Sequence, residues 1–191
     1  MEVSQLDADA RRLAGALGRL PPKEARPAFI VVSGLPGTGK SYLSQRLAER
    51  LGYPVLESDA LRKRLFRVPV YSAAESAYLF RAIHGLIEDL LGKGIPLILD
   101  ATNLAERHRR VLYDIAGRTG ARLVLVRVIA PPEVVKSRLE DRAAGEVSDA
   151  DWEVYRKLEP TAEKIRRPHF TVDASLDITP VLDEIASEVK A

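Results

Sequence analysis

The stretch Gly34-Leu35-Pro36-Gly37-Thr38-Gly39-Lys40-Ser41 carries the plainest chemistry in the chain. It fills every fixed position of the phosphate-binding pattern G-x-x-x-x-G-K-[ST], with an apolar strand pattern before it and a helical one after. Its glycines let the backbone fold tightly enough for successive N–H groups to face a phosphate. The positive end of the following helix adds to that field. Lys40 is expected to reach β- and γ-phosphates and Ser41 to ligate a cation, which makes ATP and Mg²⁺ the expected cofactors. Leu35, Pro36, Thr38 and Tyr42 complete the expected nucleotide-contacting set.

A second cluster lies in "LESDALRKRLF" (56–66), where Asp59 is followed by Arg62, Lys63 and Arg64. Phosphoryl transfer needs a group that takes the attacking hydroxyl's proton and holds it in line. A carboxylate suits that role even at an ordinary pKa, because positioning matters more than basicity. Arg62, one turn on, is placed to grip an anionic group of the acceptor. The alternative makes Asp59 a helix N-cap and Arg62 its surface ion-pair partner. The phosphate loop upstream favours the catalytic reading.

"LILDATN" (97–103) ends a third apolar run with an acid. Asp100 could hold Mg²⁺ through water or fix Arg62, and Thr102 and Asn103 add hydrogen-bonding side chains for the acceptor. Asn103 is the only asparagine, and its alternative role is to cap a helix from 104. The basic run "ERHRR" (106–110) reads mostly as a solvated helix face, with backbone contacts if the acceptor is a polynucleotide. Arg138 and Arg142 stand four apart. Arg142 is the candidate for neutralising the transferring phosphoryl group, and Arg138 for a place near the nucleotide base. Surface pairs with Glu140 are their alternative. His84, His108 and His169 lack metal-ligand spacing, and Trp152 and Tyr155 read as core.

The elements that must position these residues alternate. Strands are expected at 28–33, 54–58, 95–101, 122–130 and 169–174. Helices are expected at 40–51, about 73–91, 104–119, from Pro131-Pro132 to about 143, and from Thr179 onward. Ser148 and Asp151 are candidate caps for a helix that follows 143–151. An amphipathic helix with Leu6, Ala10, Leu13, Leu17 and Leu20 on one face precedes them, with Ser4 and Asp7 as a capping box. Continuous apolar strands joined by helical crossovers predict an α/β fold, a five-stranded parallel sheet covered on both faces. Ligands of such sheets gather at the strands' carboxyl ends, where the unusual residues fall. Residues 1–27 read as a helix and linker, 28–191 as one domain, and the small-residue turn at about 143–151 as a short lid.

The chain's 191 residues suffice for one domain with a core, and its net charge of +2 argues against a wholesale nucleic-acid binder. No cysteine is present, which excludes disulfides and thiolate sites. The N-terminus lacks an apolar signal-peptide region and no apolar run approaches membrane-spanning length, so a cytoplasmic protein is expected.

The set "GLPGTGKS", "SDALR", "LDATN" and "RLEDR" resembles, in order and spacing, the P-loop kinase family that includes bacteriophage polynucleotide 5′-kinase. It is also similar to the kinase-like domains grouped with zeta toxins and chloramphenicol phosphotransferase. The resemblance covers about residues 28–175. It implies a P-loop NTPase, kinase-like fold in which Lys40 and Ser41 serve ATP and Mg²⁺. It also implies that Asp59 is the general base, Arg62 contacts the acceptor's phosphate, Asp100 supports Arg62 and Arg142 contacts the donor phosphates. The expected function is transfer of the γ-phosphate to a hydroxyl, with the 5′-OH end of DNA or RNA as first acceptor. A small-molecule kinase for a metabolite, nucleoside or antibiotic is the second reading. It predicts a closed apolar acceptor pocket in place of an open basic groove. A regulatory nucleotide-binding module without transfer activity is the third.

Overall fold

The computed structural model describes residues 2–15, 17–141 and 150–190. Arg142 and all but the last two residues of the expected lid at 143–151 therefore lie outside the described residues, as does Ser148.

Five strands form one parallel sheet in the order β2-β3-β1-β4-β5. They are β1 (Ala28–Ser33), β2 (Val55–Glu57), β3 (Leu97–Asp100), β4 (Arg122–Ile129) and β5 (Phe170–Asp173). Every residue of β1 and β3 is buried, because helices cover both faces of the sheet. The pleat sends alternate side chains of β1 to opposite layers. Phe29 and Val31 enter one core with Leu13, Leu56, Ile83 and Leu99. Ile30 and Val32 enter the other with Leu43, Leu47, Ile98, Val126 and Ile185. A continuous apolar run is what such a doubly covered strand requires.

The first layer is built from α1 (Glu2–Ala14), α3 (Ser58–Leu65), α4 (Ala73–Gly92) and α5 (Glu106–Thr119). The second contains α2 (Lys40–Leu51) and α8 (Thr179–Lys190). Two further helices, α6 (Pro132–Glu140) and α7 (Trp152–Leu158), flank the carboxyl end of the sheet. There Val135, Leu139 and Tyr155 form a small core of their own with Leu35 and Trp152. Trp152 and Tyr155 stack with ring centroids 4.8 Å apart.

Element boundaries follow local chemistry. Gly52 and Gly120 close α2 and α5 in the left-handed conformation that the sequence reading assigned to helix stops. Asp151 caps α7, accepting from the Val154 N–H at 2.9 Å. Helix α1 begins at Glu2, two residues before the expected cap at Ser4, and ends at Ala14. Leu13 is fully buried and Leu6, Ala10 and Leu17 pack against the same core, but Leu20 is 41% exposed. β3 starts only after Pro96, which has no N–H to give a ladder.

The chain places β1, β2 and β3 on one side of the sheet and then crosses to β4 and β5 on the other. The strand order therefore reverses next to β1, and the crevice beyond the carboxyl ends of β1 and β3 is where such a fold takes its ligand. The Gly34 N–H donates to the Thr102 carbonyl at 3.2 Å and ties the two strand ends together there.

Candidate active site

The loop 34–39 owes its shape to space as well as to hydrogen bonds. A Cβ on Gly34 would lie 2.5 Å from the Val128 carbonyl oxygen, so only glycine passes between β1 and β4. Gly39, at φ 102°, opens α2 in a conformation that L side chains rarely adopt. The Thr38 hydroxyl donates to the Leu35 carbonyl at 2.8 Å, and Lys40 Nζ donates to the same carbonyl at 2.9 Å. Arg138 reaches across from α6, donating to the Thr38 carbonyl at 3.2 Å and to the Ala174 carbonyl at 2.6 Å. It thus braces the loop against the end of β5.

One cavity of about 840 Å³ opens in front of this loop. Pro36, Gly37, Gly39, Lys40, Ser41, Tyr42 and Arg138 line its loop end. Asp59, Arg62, Asp100 and Thr102 line the same cavity, together with Tyr71, Phe80, Ala101, Val154 and Leu158. The structure thus gathers most of the loop residues that the sequence singled out with Asp59, Arg62, Asp100 and Thr102. Gly34, Leu35 and Thr38 shape the loop from behind and do not line the cavity.

Asp59 sits in the first turn of α3, whose N-cap is Glu57, so the capping role considered for Asp59 is not the one it takes. Its side chain is partly exposed to the cavity. Asp100 is 3% exposed, and its Oδ2 has no hydrogen-bond partner. Burial pushes its carboxyl above the usual range, against the pull of the Lys40 ammonium.

Glu57 was not singled out by sequence reasoning. β2 pairs with β3 so that Glu57 stands opposite Asp100, and the Ser41 hydroxyl donates to Glu57 Oε1 at 3.5 Å. Burial raises the Glu57 carboxyl, and the negative charges of Asp100 and Asp59 add to the effect. The available signal was an ionisable residue at the carboxyl end of a buried strand.

This donor set suits a hard divalent cation. It consists of oxygens only, and the buried Asp100 Oδ2 lacks a partner. Among the described residues no three His, Cys, Asp or Glu side chains could hold a metal by themselves. Phosphate oxygens and water would therefore complete the shell, as Mg²⁺ prefers.

Three expectations require correction. Arg62 does not pair with Asp100. Its Nη1 is bonded to Glu75 and its Nη2 donates to the Ser76 hydroxyl at 3.2 Å. Its guanidinium also stacks 4.7 Å over the Tyr71 ring, and the residue is 6% exposed. Arg62 is thus held by α4 through its two Nη atoms, the Glu75 partner lying thirteen residues further along the chain, while its buried Nε has no hydrogen-bond partner. Asn103 caps nothing, because α5 begins at Glu106 after Ala105. It is buried at φ 45°, does not line the cavity, and offers its carbonyl to Arg109 at 2.8 Å. Arg109, read as part of a solvated basic face, is 1% exposed. It also binds the Leu104, Glu163 and Lys164 carbonyls and the Glu106 carboxylate, and so fastens α5 to the segment before β5.

A family model described as AAA domain (AAA_33) matches residues 29–164. The chain is 32% identical over 142 residues to an uncharacterized protein of Mycobacterium tuberculosis (strain ATCC 25618 / H37Rv), covering 68% of this chain and 28% of that one. It is 25% identical over 163 residues to the L-seryl-tRNA(Sec) kinase of Methanococcus maripaludis, covering 82% and 64%. The chain therefore spans less than two thirds of either relative's length. The structure of the Mycobacterium tuberculosis APS kinase CysC in complex with AMPPNP and APS superimposes with a TM-score of 0.64 at 21% identity. That match covers 90% of this chain and all of the other, and the likeness is one of fold.

Proposed function

The chain belongs to the AAA_33 family of AAA domains, and on that premise we propose that it is an ATP-dependent kinase whose acceptor is a hydroxyl of a small molecule. One observation carries the reading. A single cavity runs from Lys40 and Ser41 at the loop to Asp59 and on to walls of Tyr71, Phe80, Ala101, Val154 and Leu158. Donor and acceptor residues meet at a carboxylate, and apolar side chains line the cavity beside the paired Arg62 and Thr102.

In this reading the loop N–H groups and Lys40 hold the donor phosphates, and Arg138 keeps the loop in shape. Arg142 is kept as a candidate contact to those phosphates. Ser41, Asp100 and Glu57 would hold Mg²⁺, directly or through water, and the ion would screen charge on the phosphates. Asp59 takes the proton of the acceptor hydroxyl as its oxygen attacks the γ-phosphorus. The new O–P bond forms while the bond to the β-phosphate oxygen breaks, and ADP leaves with the electron pair. Thr102 orients the acceptor. Residues 28–191 act as the kinase domain with a lid at about 143–151, and residues 1–27 add a helix. No helix among the described residues is long and apolar enough to cross a membrane, and ATP as donor suits a cytoplasmic setting.

The polynucleotide 5′-end reading is weakened by the pairing of its key residue. It needs Arg62 free to meet an acceptor phosphate, whereas Arg62 is paired with Glu75. The name of the L-seryl-tRNA(Sec) kinase adds a hydroxyl carried on RNA as a further class to test.

The experiment is transfer from γ-labelled ATP to a panel of sugars, nucleosides, aminoacyl-tRNA and 5′-OH oligonucleotides. Label should enter a small hydroxyl compound and fall roughly 10²- to 10⁴-fold in Asp59→Ala, with nucleotide affinity kept. Binding of ATP with no transfer to any acceptor would leave a regulatory nucleotide-binding module as the better account.

A further inference from the structure

Glu75 is the acid around which the acceptor end is assembled. It is 8% exposed. It takes Nη1 of Arg62, the Val70 N–H at 2.8 Å and the Tyr71 N–H at 3.3 Å. Its own N–H is capped by the Ser72 hydroxyl at 3.1 Å. The Val70 N–H is the chief cause that holds its carboxyl below the usual range, with Arg62 contributing. Glu75 is therefore an anion, and it fixes both Arg62 and the loop that carries Tyr71 to the cavity.

We propose that Glu75 is a specificity-determining residue: by neutralising Arg62 it reserves the acceptor end for a hydroxyl compound that carries no phosphate. The inference rests on the kinase reading above and deepens it. A phosphate brought to this end would meet Asp59 and an arginine already paired with Glu75. To bind it, Arg62 would have to divide its charge between the phosphate and Glu75, or give up Glu75 and leave that buried carboxylate with only the Val70 and Tyr71 N–H groups. A neutral acceptor makes no such demand. It can rest on the cavity's apolar lining, which includes Tyr71, Phe80, Ala101, Val154 and Leu158, with its hydroxyl at Asp59. Discrimination here comes from the poorer contact that a phosphate makes with a paired arginine.

The test uses the full chain saturated with Mg²⁺ and a non-hydrolysable ATP analogue, so that the nucleotide loop is filled. Inorganic phosphate is then titrated in by calorimetry. Wild type is expected to bind it weakly or not at all. Glu75→Gln, which keeps the shape and loses the charge, should bind it at least about tenfold more tightly. The gain should vanish in Glu75→Gln/Arg62→Gln, and Glu75→Asp should restore exclusion. A merely structural role would give no such gain. Two results would overturn the proposal: phosphate affinity unchanged in a folded Glu75→Gln, or wild-type phosphate binding that depends on Arg62. If Glu75→Gln does not unfold cooperatively, wild type against Arg62→Gln decides. Equal affinities support the proposal and a loss in Arg62→Gln sinks it. No turnover is needed, so failure here is separable from failure of the transfer assay.

Discussion

The two ends of the cavity are built by different means. The nucleotide end is made mainly of backbone: glycines that admit close approach, N–H groups and the start of α2, all within 34–42, braced by Arg138 from α6. The acceptor end is made of side chains brought from α3, from α4 with the loop before it, and from the end of β3, and its central arginine is paired across thirteen residues. Backbone architecture tolerates little change and fixes one ligand class, the phosphate chain. Side-chain architecture can be re-paired one residue at a time. On the proposed reading, the loop sets donor choice and pairs such as Arg62 with Glu75 set acceptor choice.

Substitutions at each end should separate these roles, and the largest effects fall on chemistry. Lys40→Ala should lower transfer roughly 10²- to 10³-fold with weaker nucleotide binding, since it removes a charge aimed at the phosphates. Asp59→Ala should lower transfer roughly 10²- to 10⁴-fold with nucleotide binding intact, as isotope transfer and calorimetry would report. Equal losses of binding in both variants would break the distinction between the ends.

Next come effects on the frame. Arg109→Met leaves the Asn103, Leu104, Glu163 and Lys164 carbonyls and the Glu106 carboxylate without their donor, which should cost about 3–5 kcal/mol. The melting temperature should then fall by roughly 10 °C. Unchanged stability would mean that α5 is held by other contacts. Gly34→Ala should also destabilise, because its Cβ meets a backbone carbonyl that cannot swing aside.

A smaller effect of opposite sign is expected at Asp100. Its folded pKa is raised, so the native state holds a proton that the unfolded chain has already released. Stability therefore falls as pH rises through the carboxylate range, and the ionised group is a burden at neutral pH. Asp100→Asn should raise the melting temperature of the ligand-free protein while reducing its further rise with Mg²⁺-ATP. Glu57→Gln should act in the same direction, because its carboxyl is raised too.

The smallest effect concerns His84, 6.0 Å from the Phe80 ring and pushed down to about 4 by burial. As pH falls from above 6.5 towards 4, the unfolded chain takes up a proton that the native state refuses, so stability drops in that window. His84→Gln should flatten the drop in a pH series of denaturant melts.

What could be read in the sequence follows the same division. The loop pattern, the alternating strands and helices, and the glycine stops are local signals, and each landed within a few residues of the observed element. The placement of Asp59 and Asp100 at one crevice follows from the parallel sheet, because Asp100 ends β3 and Asp59 opens the helix that directly follows β2 beside it. The pairing of Arg62 was not legible. Its acid lies in another helix, and Ser72-x-x-Glu75 reads locally as a plain capping box. Glu57 was hidden because its meaning comes from register with Asp100, 43 residues away in the chain. The burial of Arg109 depends on a carbonyl-rich segment before β5 that carries no periodic signal.

The central claim is that one carboxylate joins the two ends, and a crystal structure with Mg²⁺ and a non-hydrolysable ATP analogue tests it directly. The account predicts the Asp59 carboxylate facing the terminal phosphate across a gap that one acceptor hydroxyl spans. A terminal phosphate pointing away from α3, with Asp59 turned to solvent or to a surface cation, would contradict it.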